Sequence, residues 1–349
     1  MAIIDDPTAY FQCTLYVGDG GGTRAVTNDG NSDLSPNWVW IKDRGTTSTH
    51  YIFDSVRGVQ KHLTSAATTQ ELTDANSLKS FNSDGFTLGT SGNVNGNSRS
   101  FVSWNWKANG SGSLNEVGSI DSTVSVNTTS GFSICKWTGN ATNSTIGHGL
   151  GAVPKMIMIK NLSNGSAQWV VYHVSTGNTQ ACYLNTTTTP VDVAGFFNDT
   201  TPTSSVFTLG TDTAANGSGN SMIAYCFSEV KGYSKFGVWA GNGNADGPFI
   251  YTGFKPAYVF IKAITVDNDF LVQDNKRYPF NTDVSKILYP NSAKVEADTA
   301  DTDILSNGFK LRNTTTSSNT SGRSYIYMAI AENPFVTSTD NGSIPTTAR

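Results

Sequence analysis

The residues with the best claim to chemistry are two carboxylate and base pairs, Asp54-Ser-Val-Arg57 and Asp274-Asn-Lys-Arg277. Each Asp stands eighteen positions after a proline, Pro36 or Pro256. Two carboxylates brought together from distant stretches could serve as the acid and nucleophile of a glycosidase. An acid and a base three apart at a strand end can equally hold a loop, through an ion pair and hydrogen bonds to the main chain. Recurrence favours the second role, because an active site is normally built once. Asp54, Arg57, Asp274 and Arg277 are therefore expected to be structural, and the chain is expected not to be an enzyme.

Other candidates are weaker. Trp38 and Trp40, like Trp104 and Trp106, lie two apart and share one face of a strand. Exposed, they would stack on sugar rings; core packing is the better reading, since Met, Tyr and Phe hold the matching positions elsewhere. Glu296-Ala-Asp-Thr-Ala-Asp-Thr-Asp303 gathers carboxylates, which makes Asp298, Asp301 and Asp303 candidate calcium ligands. That segment lacks the glycine and final glutamate of an EF-hand loop. The loops Gly18-Asp-Gly-Gly-Gly22 and Gly241-Asn-Gly-Asn-Ala-Asp-Gly247 fall between strand-like runs, where turn chemistry explains them. The four histidines sit beside no nucleophile signature, and Cys13, Cys135, Cys182 and Cys226 form no CxxC pair. The cysteines are expected to be reduced core residues, and no cofactor is implied.

The elements that carry these residues recur three times. Ser100-Phe-Val-Ser-Trp-Asn-Trp-Lys107, Ser221-Met-Ile-Ala-Tyr-Cys-Phe-Ser-Glu229 and Ser324-Tyr-Ile-Tyr-Met-Ala-Ile-Ala-Glu332 read as strands buried on much of both faces. Each follows a Pro-led strand ending in Ile-Lys, from Pro36, Pro154 or Pro256. Before that, aromatic strands from Phe11, Phe132 and Phe236 end on a loop glycine at 18, 139 or 241. Third strands contain Ile52, Val170 and Leu271, short elements centre on Leu63, Leu184 and Leu288, and Phe-x-Leu strands start at Phe86, Phe207 and Phe309. The expected fold is all-β, with three tandem homologous β-sandwich, jelly-roll-like units of roughly 100 residues each. The boundaries read 1–107 for the first unit, 108–131 for a linker with a possible edge strand from Ile120 to Val126, 132–230 for the second, 231–336 for the third, and 337–349 for an extended tail.

Charged residues are 14% of the chain, against roughly 25% in an average soluble domain, and aromatics are 11%. The formal charge of -4 and the lack of a Lys/Arg cluster argue against nucleic acid or anionic lipid as partner. No 18-residue apolar run occurs, and the first residues lack the basic-then-apolar pattern of a signal peptide. Synthesis in the cytoplasm, without membrane insertion, is expected.

Several motifs in order carry a family resemblance: Trp38-Val-Trp-Ile-Lys-Asp-Arg44, Phe81-Asn-Ser-Asp-Gly-Phe-Thr-Leu-Gly89, Lys231-Gly-Tyr-Ser-Lys-Phe-Gly237, Ser306-Asn-Gly-Phe-Lys-Leu-Arg312 and Tyr325-Ile-Tyr-Met-Ala-Ile-Ala-Glu-Asn-Pro-Phe335. Over nearly its whole length the chain resembles an uncharacterised family of repeat-containing virion structural proteins of tailed bacteriophages, notably phages of marine bacteria. The resemblance implies a virion protein, a tail fibre or tail-associated receptor-binding component, with no catalytic residues to carry over. Capsid decoration or a head fibre is one alternative; a glycan-binding or polysaccharide-depolymerising tailspike is another. Other tail or capsid subunits are the expected partners, with homo-oligomerisation in the particle and host surface glycan as a further candidate.

Overall fold

The three runs with apolar residues at nearly every position become long strands, Ser100–Trp106, Ser221–Ser228 and Ser324–Pro334, buried on both faces. The computed structural model describes residues 4–278, 281, 285–299, 302–339 and 342–345. In it each long strand lies second in a run of four antiparallel strands of one recurring order. Phe11–Val17, Ser100–Trp106, Trp38–Asp43 and Tyr51–Asp54 form the first. Phe132–Thr138, Ser221–Ser228, Pro154–Asn161 and Val170–His173 form the heart of the second. Ser234–Ala240, Ser324–Pro334, Phe254–Ala263 and Phe270–Asp274 form the third.

A smaller sheet faces each large one. In these, Phe86, Phe207 and Phe309 pair with Val26, Ile146 and Ile250 respectively. All six side chains are buried, so each large sheet and its small partner make a β-sandwich. The short elements at Leu63 and Leu288 bridge to Ile52 and Val272, and Leu184 N–H donates to Trp169 O at 3.2 Å.

The other face of each large sheet accounts for the double burial. It turns inward onto a core common to all three sandwiches, which holds Trp38, Trp104, Trp106, Tyr225, Phe227, Tyr258 and Met328. Trp38 of the first sandwich stacks on Tyr225 of the second with ring centroids 4.6 Å apart. Phe11 meets Tyr258 of the third at 5.6 Å, and His173 of the second meets Phe236 of the third at 6.2 Å. The sandwiches are thus joined side by side by aromatic packing, where tandem order alone implied only succession.

Two connecting segments differ from expectation. Asn109-Gly-Ser-Gly-Ser113, read as a flexible linker, is held in place: Asn109 N–H and Ser125 Oγ, then Ser125 Oγ and Gly110 O, are each 2.8 Å apart. Ser113–Asn115 and Ser122–Asn127 then form an antiparallel pair that extends the second sheet beside Phe132–Thr138. The strand read from Ile120 to Val126 therefore runs from Ser122 to Asn127, one in from Ser113–Asn115 at the edge. Of the stretch 337–349, expected as an extended tail, the described residues fold back in the antiparallel strands Val336–Thr339 and Gly342–Pro345, and 340, 341 and 346–349 lie outside the described residues. Among the described residues no helix is long and apolar enough to cross a membrane.

Candidate functional site

Asp54 ends its strand and enters the turn that carries Arg57. Its Oδ1 accepts Val56 N–H at 3.1 Å and Arg57 N–H at 2.8 Å, which fixes the turn. Its Oδ2 accepts Arg57 Nε and, from the second sandwich, the Tyr225 hydroxyl at 2.7 Å. Arg57 Nη2 donates to Ile52 O at 2.9 Å. Asp274 repeats the arrangement: Arg277 N–H reaches Oδ1 at 2.8 Å, Arg277 Nε reaches Oδ2 at 2.6 Å, and Arg277 Nη2 reaches Val272 O at 2.9 Å. The outside donor is now Trp104 Nε1 of the first sandwich, 3.0 Å from Oδ2.

His173 holds the same place in the second sandwich. It pairs across the strands with Met156 as Asp54 does with Trp38 and Asp274 with Tyr258. Its Nε2 donates to Tyr327 O of the third sandwich at 3.0 Å, while Nδ1 accepts Ser175 N–H at 3.1 Å. The three joints close a cycle: second to first through Tyr225, first to third through Trp104, third to second through Tyr327.

Electrostatics suit joints. Burial raises the Asp274 carboxyl, but the Arg277 guanidinium and the hydrogen bonds from Arg277 and Trp104 outweigh it and hold the group below the ordinary carboxylate value. Burial lowers His173 to about 4, and burial with Lys42 nearby takes His50 well below 6.5. His50 accepts Trp40 Nε1 at Nδ1 (2.9 Å) and faces Tyr289 O through Nε2 (3.0 Å), the polarity seen at His173. Both rings are held as the neutral Nε2–H tautomer, unavailable as bases.

The lysines that end the Ile-Lys motifs, Lys42, Lys160 and Lys262, are buried. Burial brings Lys42, Lys160 and Lys262 down to about 8. Lys160 Nζ donates to Ala167 O (2.5 Å) and to Thr68 O of the first sandwich (2.6 Å). Lys262 Nζ donates to Thr187 O of the second (2.7 Å) and to Asn268 O (2.5 Å). The joints between sandwiches therefore use cations against carbonyl oxygens as well as carboxylates.

Sequence reasoning missed one repeated device. Asn95, Asn216 and Asn319 are buried, each five positions before the Ser that opens a long strand. Asn216 Nδ2 donates to Asn140 Oδ1 (3.1 Å), Thr142 O (2.7 Å) and Gly210 O (3.0 Å), and its Oδ1 accepts Asn140 N–H (3.1 Å). Asn95 and Asn319 make the matching set. Gly18, Gly139 and Gly241 stand where the loop meets this staple, and a Cβ there would lie 2.3 Å from Gly96 O, Gly217 O or Thr320 O. The constant spacing from Ser was the available signal. Asn216→Ala should cost about 2 kcal/mol in urea unfolding, because three acceptors and one donor lose their partner; an unchanged midpoint would show that the staple holds nothing.

The remaining candidates fall apart as a site. Trp38, Trp40, Trp104 and Trp106 are at most 1% exposed, which matches the preferred core reading and leaves no sugar platform at these four positions. Asp298 pairs with Lys286, and Asp303 with Arg312 at 2.5 Å; Asp301 lies outside the described residues. Among the described residues no three His, Cys, Asp or Glu side chains gather as a metal would need. Asp298 and Asp303, the two described calcium candidates, are each engaged in a separate ion pair. Glu296 of the same stretch is gripped by Arg44 of the first sandwich at 2.8 Å and by Arg277 at 3.2 Å, a further joint. All four cysteines are free and buried. A polar cleft of about 350 Å³ does open between the first and third sandwiches, lined by Gln12, Asp29, Asn275, Lys276 and Glu332, with the Lys276–Asp29 ion pair (2.9 Å) across it.

No curated protein matches the chain. A family model does, from residue 6 to residue 334, and so takes in all three sandwiches together with the joints between them. Its description is a domain of unknown function, and the chain belongs to that family, DUF7483.

Proposed function

We propose that the chain is a non-enzymatic structural protein of a tailed bacteriophage particle, placed in the tail as a fibre or receptor-binding component. The observation that carries this reading is where the reactive side chains go. The Asp54 and Asp274 carboxylates, the tryptophans and the central histidines lie inside joints that make three sandwiches one body. A buried carboxylate that already accepts an arginine and a neighbour's donor cannot reach a glycosidic oxygen. The same joints suit a rigid building element with polar loops outside.

The test is the composition of purified particles. Mass spectrometry should recover the chain in fixed stoichiometry with tail and capsid subunits after gradient purification, and recovery only in the soluble lysate would sink the reading. The cyclic order of the joints favours decoration of the head at a threefold position as a second reading. Antibody labelling viewed by electron microscopy separates the two, since label on the tail supports the first and label on the head the second.

A further inference from the structure

The three sandwiches differ on one side, where the first strand of the large sheet and the first strand of the small sheet leave the sandwich open. The first sandwich closes that side with its own loop. Gln12 Oε1 accepts Gly30 N–H at 2.7 Å, Gln12 Nε2 donates to Ser32 O at 2.7 Å, and Thr14 Oγ1 donates to Asn28 Oδ1 at 2.8 Å. The second closes it with the preceding segment. Ser122–Asn127 pairs with the edge strand Phe132–Thr138, and Ser119 N–H reaches Thr145 O of the small sheet at 3.0 Å. Gly147 has no side chain because Val117 O fills its place, 2.3 Å from where a Cβ would sit.

Among the described residues the third sandwich has neither cover. From Val26 to Pro36 the closing loop spans ten positions, from Ile146 to Pro154 eight, and from Ile250 to Pro256 only six. Among the described residues the strand Ser234–Ala240 is the end of its sheet and pairs only with Ser324–Pro334. Gly237 to Ala240 carries no charge, the usual guard of a free edge. Among the large apolar side chains exposed in this sandwich, Val238 on the edge strand is 51% exposed, and Phe249 and Tyr251 on the first strand of the small sheet are 45% and 59% exposed. Phe249 and Tyr251 match Thr145 and Gly147, the positions that residues 117–119 cover in the second sandwich.

The occupant can be read from chain order. The pair of strands Ser113–Asn115 and Ser122–Asn127 follows the last long strand of the first sandwich and caps the next. The pair Val336–Thr339 and Gly342–Pro345 follows the last long strand of the third sandwich, is free of charge in both strands, and among the described residues joins no other sheet. We propose that this C-terminal pair of one copy adds to the open Ser234–Ala240 edge of a second copy, with Phe249 and Tyr251 closing over it. Strand addition supplies main-chain hydrogen bonds along the edge, and the aromatic side chains supply the apolar contact. The contact joins unlike surfaces, so copies link head to tail into a ring or a row. The inference rests on the structural role proposed above and specifies how the building elements connect.

Sedimentation of the purified full chain over a range of concentrations tests it. The full chain should self-associate, and a variant ending at Phe335 should sediment as a monomer. Val238→Lys and Tyr251→Ser change exposed side chains, so unfolding midpoints should hold while association weakens about tenfold or more, the equivalent of roughly 1.4 kcal/mol. Amide hydrogen exchange at 237–240 should be slow in the full chain and fast in the truncated one. A full chain monomeric at every concentration, or association that survives the truncation and both point changes, overturns the proposal. The experiment needs no particle, so its failure is distinct from absence of the chain from virions.

Discussion

Asp54→Ala is expected to destabilise the chain by about 3–5 kcal/mol, the range for removing one partner of a buried ion pair. The change leaves the wholly enclosed Arg57 guanidinium with only the Glu71 carboxylate, 3.5 Å from Nη1, as counter-charge, and it strips the Tyr225 hydroxyl of its acceptor. Two main-chain donors in the turn, Val56 N–H and Arg57 N–H, lose their acceptor as well. Asp274→Ala should behave alike, with Arg277 left only the Glu296 carboxylate at 3.2 Å and Trp104 Nε1 left unsatisfied. The mechanism predicts a graded series in urea unfolding. Tyr225→Phe, which removes one hydrogen bond and keeps the ion pair, should cost only about 1–2 kcal/mol. Replacing both Asp54 and Arg57 by apolar residues of similar volume should recover much of the loss, because no orphaned charge remains. A loss below about 0.5 kcal/mol for Asp54→Ala would place the pair among surface ion pairs and contradict its role as a joint.

The second large effect is acid sensitivity centred on His173. Its ring is held near 4 by burial, against 6.5 for a histidine in an unfolded chain. As pH falls from 6.5 towards 4, the unfolded chain takes up a proton that the folded chain refuses. Stability is therefore full above 6.5 and is lost across that window, by about 3 kcal/mol from this group at pH 4. Protonation would turn Nδ1 into a donor pointing at the Ser175 N–H, which explains the refusal in local terms. His50, lowered well below 6.5 by burial and by Lys42, adds loss in the same direction. His173→Gln keeps a donor for Tyr327 O and removes the titration. Its unfolding free energy should fall less steeply than that of the parent between pH 6.5 and 4.5, and identical pH profiles would refute the assignment.

Much of this was legible in the sequence at the level of strands. Aromatic runs ending on Gly18, Gly139 and Gly241, Pro-led strands ending in Ile-Lys and the Phe-x-Leu strands all mark real elements, because period, β-branched content and turn residues are local properties. The burial of the long strands on both faces was legible as well, but not what covers the second face. That cover comes from residues far along the chain, such as Tyr225 on Asp54 and Trp104 on Asp274. The tryptophan pairs illustrate the limit: a strand face rich in Trp reads alike whether a sugar or another sandwich lies against it. The Ile-Lys lysines were opaque for a related reason, since the carbonyl oxygens that solvate them, Thr68 O and Thr187 O, belong to neighbouring sandwiches. The turn carboxylates Asp54 and Asp274 were readable from recurrence alone.

Electron cryomicroscopy of purified phage particles tests the central claim most directly. The account predicts surface density of three sandwich-sized lobes closed around one centre, into which the chain fits as a rigid body with the Asp54–Tyr225 and Asp274–Trp104 joints enclosed. Particles without such density, or lobes strung apart with those joints open to solvent, would contradict it.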